Sequence, residues 1–291
     1  MTDTWSAGME RAAEFFVCSG GHDDDLTDIL PVGCGARLDR VYDDVRSRVL
    51  GPATGAKTYR EAAAVEPYAP SGEAATLPAA GRAPLPAYVS GGAASARRRC
   101  CLLLAAPGAL GDERVAGPRL RRLADRIAAS CECVCVAPDL PGGADAEAHR
   151  AALVAAALPY LRDERGCDVS RVAVFGLGSG GAVALLAARS DWCACCCCCD
   201  ADFDAVEPDA AASAARAAAG PFMLLHARAP APALIRNALV ATPRGGECVF
   251  DAYEDMAPGF LLLGDVGVPA VDRDVELATT RLLAFAGPYL P

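Results

Sequence analysis

Short apolar runs alternate with amphipathic stretches along most of this chain. The runs have the length and composition of buried strands; they are Cys100–Ala105, Cys131–Ala137, Val172–Phe175, Cys193–Cys199, Pro221–His226 and Cys248–Tyr253. Between them, apolar residues recur every three or four positions, as Leu120, Leu123 and Ile127 do, which is typical of helices. Strands that alternate with helices predict an α/β domain.

The N-terminal part of the chain has a different pattern. Its apolar residues predict two amphipathic helices, carried by Trp5, Met9, Ala12 and Phe16 and by Leu38, Val41, Val45 and Val49. We therefore predict a helical extension over residues 1–65 and an α/β domain over 66–291. The apolar stripe of the first helix must be covered, either by the main domain or by another subunit.

Composition limits the partners of the protein. The chain has 291 residues, of which 53% are hydrophobic, and a formal net charge of −10. This charge argues against nucleic acid and anionic membranes as main partners. Since no apolar run approaches the ~20 residues of a membrane-spanning helix, no membrane insertion is predicted. A protein partner or a small-molecule ligand remains, with no sequence feature that names it.

Cysteine is unusually frequent, with 15 residues, six of them within Cys193–Cys199. We interpret this run as a buried strand in which cysteine packs as a small hydrophobic residue. A thiol or metal-binding strand is the alternative, but alternate residues of a strand are ~6–7 Å apart, which does not surround one zinc ion with four sulfurs. His22 and Asp23–Asp25 are interpreted as a solvated acidic turn. We predict no metal and no cofactor, and a cytoplasmic or other reducing compartment.

The stretch Arg171–Arg189 has the order strand, sharp turn, helix. Val172–Phe175 forms the strand, Gly176–Gly181 the turn, and Ala182–Ala188 an apolar helix that should be buried. This arrangement resembles the nucleophile elbow of α/β-hydrolases, G-x-S-x-G. It is most similar to the dienelactone hydrolase family, in which the motif is G-x-C-x-G-G. At the nucleophile position this chain has Gly178, and we expect a positive φ there.

The resemblance runs from Glu66 to the C-terminus and implies an α/β-hydrolase fold, a mostly parallel sheet with helices on both faces. It places two opening antiparallel strands at Pro67–Gly72 and Leu85–Ser90, and an oxyanion-hole loop at Pro107–Gly111. The carboxylate that the family has near the nucleophile falls at Ala105 or Ala106 and is absent.

A second family motif, P-D-x-x-x-G, is matched by Pro138–Gly143. The family continues from it into a wall of the substrate pocket. Here Asp145 is predicted to cap a helix over Ala146–Glu164, so this wall is much shorter. His149 on that helix is predicted to be a surface residue.

The family resemblance also locates the other two triad positions. The acid position falls at Pro230 and the histidine position at Pro258, so neither can accept a proton. With Gly178, all three positions are degenerate, and the resemblance implies a catalytically inactive hydrolase retained as a binding or scaffold subunit. The alternative is an active carboxylic-ester or lactone hydrolase that uses Ser179 as a displaced nucleophile with His226, although His226 is more simply structural.

Overall fold

The structure is a computed structural model that describes residues 61–63, 68–78, 83–91, 98–142, 145–203, 206–228 and 231–290. All of them belong to one unit of the chain, Lys57–Pro291. The two helices predicted around Trp5–Phe16 and Leu38–Val49, and the acidic turn after His22, lie outside the described residues. The boundary between extension and main domain therefore stays a prediction.

An eight-stranded sheet forms the centre of the described unit, in the order β1-β2-β4-β3-β5-β6-β7-β8. β2 pairs antiparallel with β1 and β4, and the remaining neighbours are parallel. The strands are β1 (Glu73–Leu77), β2 (Leu85–Ser90), β3 (Arg98–Leu104), β4 (Cys133–Pro138), β5 (Cys167–Leu177), β6 (Cys193–Cys199), β7 (Phe222–Ala227) and β8 (Val249–Tyr253).

Helices cover both faces of the sheet. They are α1 (Ala116–Ser130), α2 (Ala146–Ala152), α3 (Leu158–Asp163), α4 (Ser179–Ala188), α5 (Pro208–Arg216), α6 (Ala233–Val240), α7 (Phe260–Leu263) and α8 (Pro269–Ala286), and a π turn, Leu153–Ala157, joins α2 to α3. Residues of α1, α7 and α8 pack on one face, and residues of α2 to α6 pack on the other. The predicted α/β architecture, mostly parallel with helices on both faces, is confirmed.

The centre of the sheet is apolar on both faces, because its parallel strands are covered on both sides. In β6, Cys193 and Cys195–Cys199 are each at most 3% exposed, so the cysteine run is the buried strand that was predicted. The residues Gly180–Ala188 of α4 are all buried as well. The α4 helix is therefore enclosed between the sheet and neighbouring helices, as its uniformly apolar sequence predicts.

One predicted strand is misplaced. The first antiparallel strand was expected over Pro67–Gly72, but it is β1, further along the chain. The N–H of Ser71 donates to the Asp125 carboxylate at 2.8 Å, and the N–H of Gly72 donates to the Tyr88 hydroxyl at 2.7 Å. These backbone groups bond to side chains instead of to a neighbouring strand.

Two helices differ from the sequence pattern. That pattern predicts a last helix over Val275–Leu290, which Gly287-Pro288 should kink or end early. In the structure this helix, α8, begins at Pro269, where proline suits the first helical turn, and ends at Ala286. The pattern predicts no element in the acidic, alanine-rich segment Asp200–Ala219, which contains α5. Within the described ranges, no helix is both long and apolar enough to cross a membrane.

Candidate functional site

Gly178 forms the apex of the turn between β5 and α4. Its backbone angles are φ 55° and ψ −126°, so the predicted positive φ is confirmed. The strand ends at Leu177 and the helix begins at Ser179, which leaves a single residue to reverse the chain. For residues other than glycine, this region of φ and ψ is strained. The apex is the point at which a nucleophile elbow presents its side chain.

Gly176 and Gly180, on either side of the apex, are required for a different reason from Gly178. A Cβ on Gly176 would lie 2.7 Å from the Cβ of Ala184, and one on Gly180 would lie 2.4 Å from the carbonyl oxygen of Leu104. Both glycines are thus required by close packing between the strand and the helix. A Cβ on Gly178, by contrast, would meet no atom within 4 Å. A side chain at the apex would therefore project into open space.

Hydrogen bonds hold the peptide groups of the apex on both sides. The N–H of Gly178 donates to the carbonyl of Cys199 at 3.1 Å, and its carbonyl accepts from the N–H groups of Gly181 and Asp202, each at 2.9 Å. Ser179 and Gly180 begin α4, and the first N–H groups of a helix have no partner within it. The apex is thus fixed to the end of β6, and two amide groups of α4 lie beside it.

The alternative pair Ser179 and His226 is not joined in this structure. Ser179 is half-buried at the start of α4, and His226 lies in β7 with its ring centroid 6.1 Å from that of Phe203. The His226 Nε2 atom is buried without a hydrogen-bond partner among the described residues. Burial lowers the pKa of His226, which keeps the imidazole neutral near pH 7.

The two positions that the family resemblance assigns to the other triad residues have no titratable group. Pro258 is exposed in the loop after β8, next to Gly259, whose φ is 81°. Pro230 lies outside the described residues, and it follows the end of β7 by three positions. A proline side chain cannot transfer a proton or orient a histidine, whatever its conformation.

Asp200 is a partly buried carboxylate that the sequence reasoning missed. It follows β6 directly, with φ 50°, and its Oδ1 and Oδ2 atoms accept hydrogen bonds from the N–H groups of Ala227 at 2.5 Å and Gly259 at 2.9 Å. Burial raises the pKa of Asp200 to about 6, against the lowering effect of these backbone bonds. The sequence did contain a signal for this residue, because an acidic residue directly follows an apolar strand.

The loops from β3 and β4 are also linked. The Asp139 carboxylate accepts a hydrogen bond from the N–H of Gly108 at 3.0 Å, which joins the P-D-x-x-x-G motif to the predicted oxyanion-hole loop. Asp145 caps α2 as predicted, accepting from the N–H of Ala148 at 2.7 Å. The surface position predicted for His149 is wrong.

His149 is 5% exposed, and its Nε2 donates to the carbonyl of Pro141 at 2.7 Å. The imidazole therefore fixes the Pro141 backbone beneath α2. The prediction was wrong because a polar residue on a helix usually indicates a solvent-exposed face, and the sequence does not show the hydrogen-bond partner of His149.

The cysteines lie in close contact without the arrangement of a metal site. The Sγ atoms of Cys101 and Cys133 are 3.6 Å apart, and those of Cys196 and Cys198 are 3.8 Å apart. Burial raises the pKa of Cys196 well above its usual range, which favours the neutral thiol. Across the described ranges, no group of three or more histidine, cysteine or acidic side chains could hold a metal ion.

Neither a known sequence family nor a curated protein sequence matches the chain. Solved structures do resemble it. A dienelactone hydrolase from Anabaena variabilis is 18% identical, with 76% of this chain and 99% of that chain covered and a TM-score of 0.53. A thermostable esterase from Pseudomonas putida is 16% identical over 98% of this chain and 97% of its own, with a TM-score of 0.52. At this identity the likeness shows the fold alone, and the fold is that of the α/β-hydrolases.

Proposed function

We propose that this chain is a catalytically inactive relative of the dienelactone hydrolases that binds a ligand at its elbow instead of cleaving it. The proposal depends on one observation above all. Gly178 has the backbone conformation and the surroundings of a nucleophile elbow, and it has no side chain. A site that has kept the turn and lost the attacking group can bind a carbonyl compound without forming a covalent bond to it.

The missing proton-transfer groups support inactivity independently. Acyl transfer requires a nucleophile, a base that takes its proton and an acid that orients the base. By the family resemblance, these positions are Gly178, Pro258 and Pro230. Each falls in a different stretch of the sequence, so a single error of alignment would not account for all three.

Three features of the apex and the neighbouring strand β7 support ligand binding. Space is open where the Gly178 side chain would project. The amides of Ser179 and Gly180 at the start of α4 are suited to an acceptor oxygen such as a carbonyl or carboxylate. The buried Nε2 of His226 is without a partner, and buried polar atoms are rarely left so. A small ester, lactone or carboxylic acid fits this chemistry.

Hydrolysis by Ser179 is the second candidate function. Ser179 adjoins the apex, and His226 lies in β7, two strands away from β5 in the sheet. No hydrogen bond joins the serine hydroxyl to His226 among the described residues. This function therefore requires the two side chains to approach each other when substrate binds.

A titration with phenyl acetate tests binding and turnover in the same sample. We expect the amide resonances of Ser179 and Gly180 to shift saturably in ¹H–¹⁵N spectra, while phenyl acetate disappears at its uncatalysed rate. In Gly178→Ser, a hydroxymethyl group occupies the open space, and the shifts should weaken. The matched control is Gly142→Ser, a glycine that also has no atom within 4 Å of a Cβ but lies outside the elbow.

Two results would overturn the proposal. Saturable shifts accompanied by accelerated release of phenol would show that the site is catalytic. Shifts that are absent at Ser179 and Gly180, or identical in Gly178→Ser, would show that small carbonyl compounds do not bind at the apex.

A further inference from the structure

Asp200 occupies the point at which three segments of the sheet edge meet. It follows β6, its own N–H donates to the carbonyl of Leu225 in β7 at 2.8 Å, and its carboxylate accepts from the N–H of Ala227 at the end of β7. The other carboxylate oxygen accepts from the N–H of Gly259 in the loop after β8. One side chain thus bonds to two separate segments.

The position of Asp200 also connects this junction to the elbow. The carbonyl of the preceding residue, Cys199, accepts from the N–H of Gly178, and the N–H of Asp202 donates to the Gly178 carbonyl. The loop that contains Pro258 is therefore connected to the elbow apex through one short segment, Cys199–Asp202. In an active hydrolase, hydrogen bonds within the triad would join the same loops.

Asp200 maintains this arrangement in an unfavourable backbone conformation. Its φ of 50° lies in the left-handed region, which is unfavourable for a residue other than glycine. The carboxylate is largely buried, and an ionised carboxylate in such a place must be well hydrogen-bonded. Both oxygens accept from backbone N–H groups, which supplies these bonds.

We propose that Asp200 is a latch that holds the loop carrying Pro258 against the ends of β6 and β7, and that protonation of its carboxylate releases this loop. The physical reason is acceptor strength. A carboxylate accepts strongly through both oxygens, whereas the protonated group has one O–H donor and a weaker remaining acceptor capacity. Protonation therefore weakens the bonds from Ala227 and Gly259 that hold the loop.

Burial and backbone hydrogen bonds have opposite effects on the pKa of Asp200. Burial raises the pKa of Asp200 to about 6, and the bonds from Ala227, Gly259 and Phe260 lower it. Among the described residues, the titratable and charged side chains on β6, β7, β8 and the loops that follow them are Cys193, Cys195–Cys199, Asp202, Glu207, His226, Arg228, Asp251, Tyr253, Glu254 and Asp255. Cys199 lies 4.0 Å from the carboxylate through its Sγ atom, and burial keeps that thiol neutral.

His226 requires a control of its own, because it adjoins Ala227 and has a titratable side chain. Whether release of the loop changes ligand binding at the apex rests on the proposed function. The hydrogen bonds of Asp200 and their release do not. The latch can therefore be tested without a ligand, and its failure would leave the inactivity of the elbow undecided.

The test follows the backbone amides of Ala227, Gly259 and Phe260 in ¹H–¹⁵N spectra of the full chain between pH 4.5 and 8. We expect the three resonances to shift together with a midpoint near pH 6. Protection of the Gly259 amide from hydrogen exchange, corrected for intrinsic rates, should fall about tenfold below this midpoint. This common titration should vanish in Asp200→Asn and persist in His226→Gln.

Asp191→Asn is the matched control, because Asp191 is exposed at the opposite end of the same strand. It should leave the three amides unchanged. The wild-type and His226→Gln titrations decide the question even if Asp200→Asn does not fold. The latch is refuted if the amides of Ala227 and Gly259 titrate separately, if their common titration vanishes in His226→Gln, or if it survives in Asp200→Asn.

Discussion

The N–H of Gly178 donates a hydrogen bond to the carbonyl of Cys199 across 3.1 Å, which fixes the apex of the β5–α4 turn to the end of the neighbouring strand. This bond and the positive φ of Gly178 maintain the turn with no side chain at its apex. The backbone of the turn is therefore determined by its own conformation and by its strand neighbours, and it does not depend on the side chain at the apex.

The cost of a side chain at the apex can be measured directly. Gly178→Ser should lower the free energy of unfolding by about 1–3 kcal/mol, because serine is strained at a φ of 55° although its Cβ meets no atom. Urea denaturation at pH 7 gives this value. Gly142→Ser, at a position with equal space and no positive φ, should change stability much less. Equal effects in the two variants would show that the apex is not strained.

The second prediction concerns packing beneath the apex. Gly180→Ala should destabilise the fold by about 1–3 kcal/mol, because its Cβ would lie 2.4 Å from the carbonyl oxygen of Leu104, a backbone atom that cannot move independently. The control is Gly246→Ala, an exposed position with no atom within 4 Å of a Cβ. If the two variants unfold at the same urea concentration, α4 does not pack on β3 as described.

The sequence predicted those features that depend on local pattern. The buried cysteine strand, the cap at Asp145 and the positive φ at Gly178 all follow from residue type, periodicity and turn chemistry. The exceptions depend on partners distant in the chain. The segment before β1 bonds to Asp125 and Tyr88, and His149 is buried against Pro141.

The site was only partly predictable for the same reason. Gly178 and its motif are local, whereas the role of Asp200 depends on the N–H of Gly259, 59 positions further along the chain. No periodicity connects two such residues. The roles assigned to Pro230 and Pro258 come from the family resemblance and stay predictions.

The third prediction concerns the burial of the cysteine strand, β6. Native protein treated with a maleimide should remain unmodified at Cys195–Cys199, because burial excludes the reagent and raises the pKa of Cys196, Cys197 and Cys199. Cys248, which is only partly buried, is the internal control and should react before the cysteines of β6. Peptide mapping by mass spectrometry measures the extent of modification of β6 and of Cys248. Labelling of β6 as fast as that of Cys248 would contradict the packing of the sheet.

The fourth prediction is a pH dependence that arises from His226. Burial lowers the pKa of its imidazole, so the unfolded chain binds this proton more tightly than the folded chain does. The stabilising contribution is therefore complete above the unfolded pKa of about 6.5 and is lost as the pH falls below it. The free energy of unfolding of His226→Gln, relative to that of the wild type, should rise between pH 7 and pH 5. A constant difference would show that His226 is not buried as a neutral group.

Steady-state kinetics with p-nitrophenyl acetate measure directly whether the chain is catalytically inactive. We expect the purified chain to release p-nitrophenol no faster than a heat-denatured sample, and Ser179→Ala and His226→Ala to give the same rate. Gly178→Ser alone should not restore activity, because Pro258 supplies no base. Saturable turnover by the wild type that disappears in Ser179→Ala would contradict the account and identify the chain as a hydrolase with a displaced nucleophile.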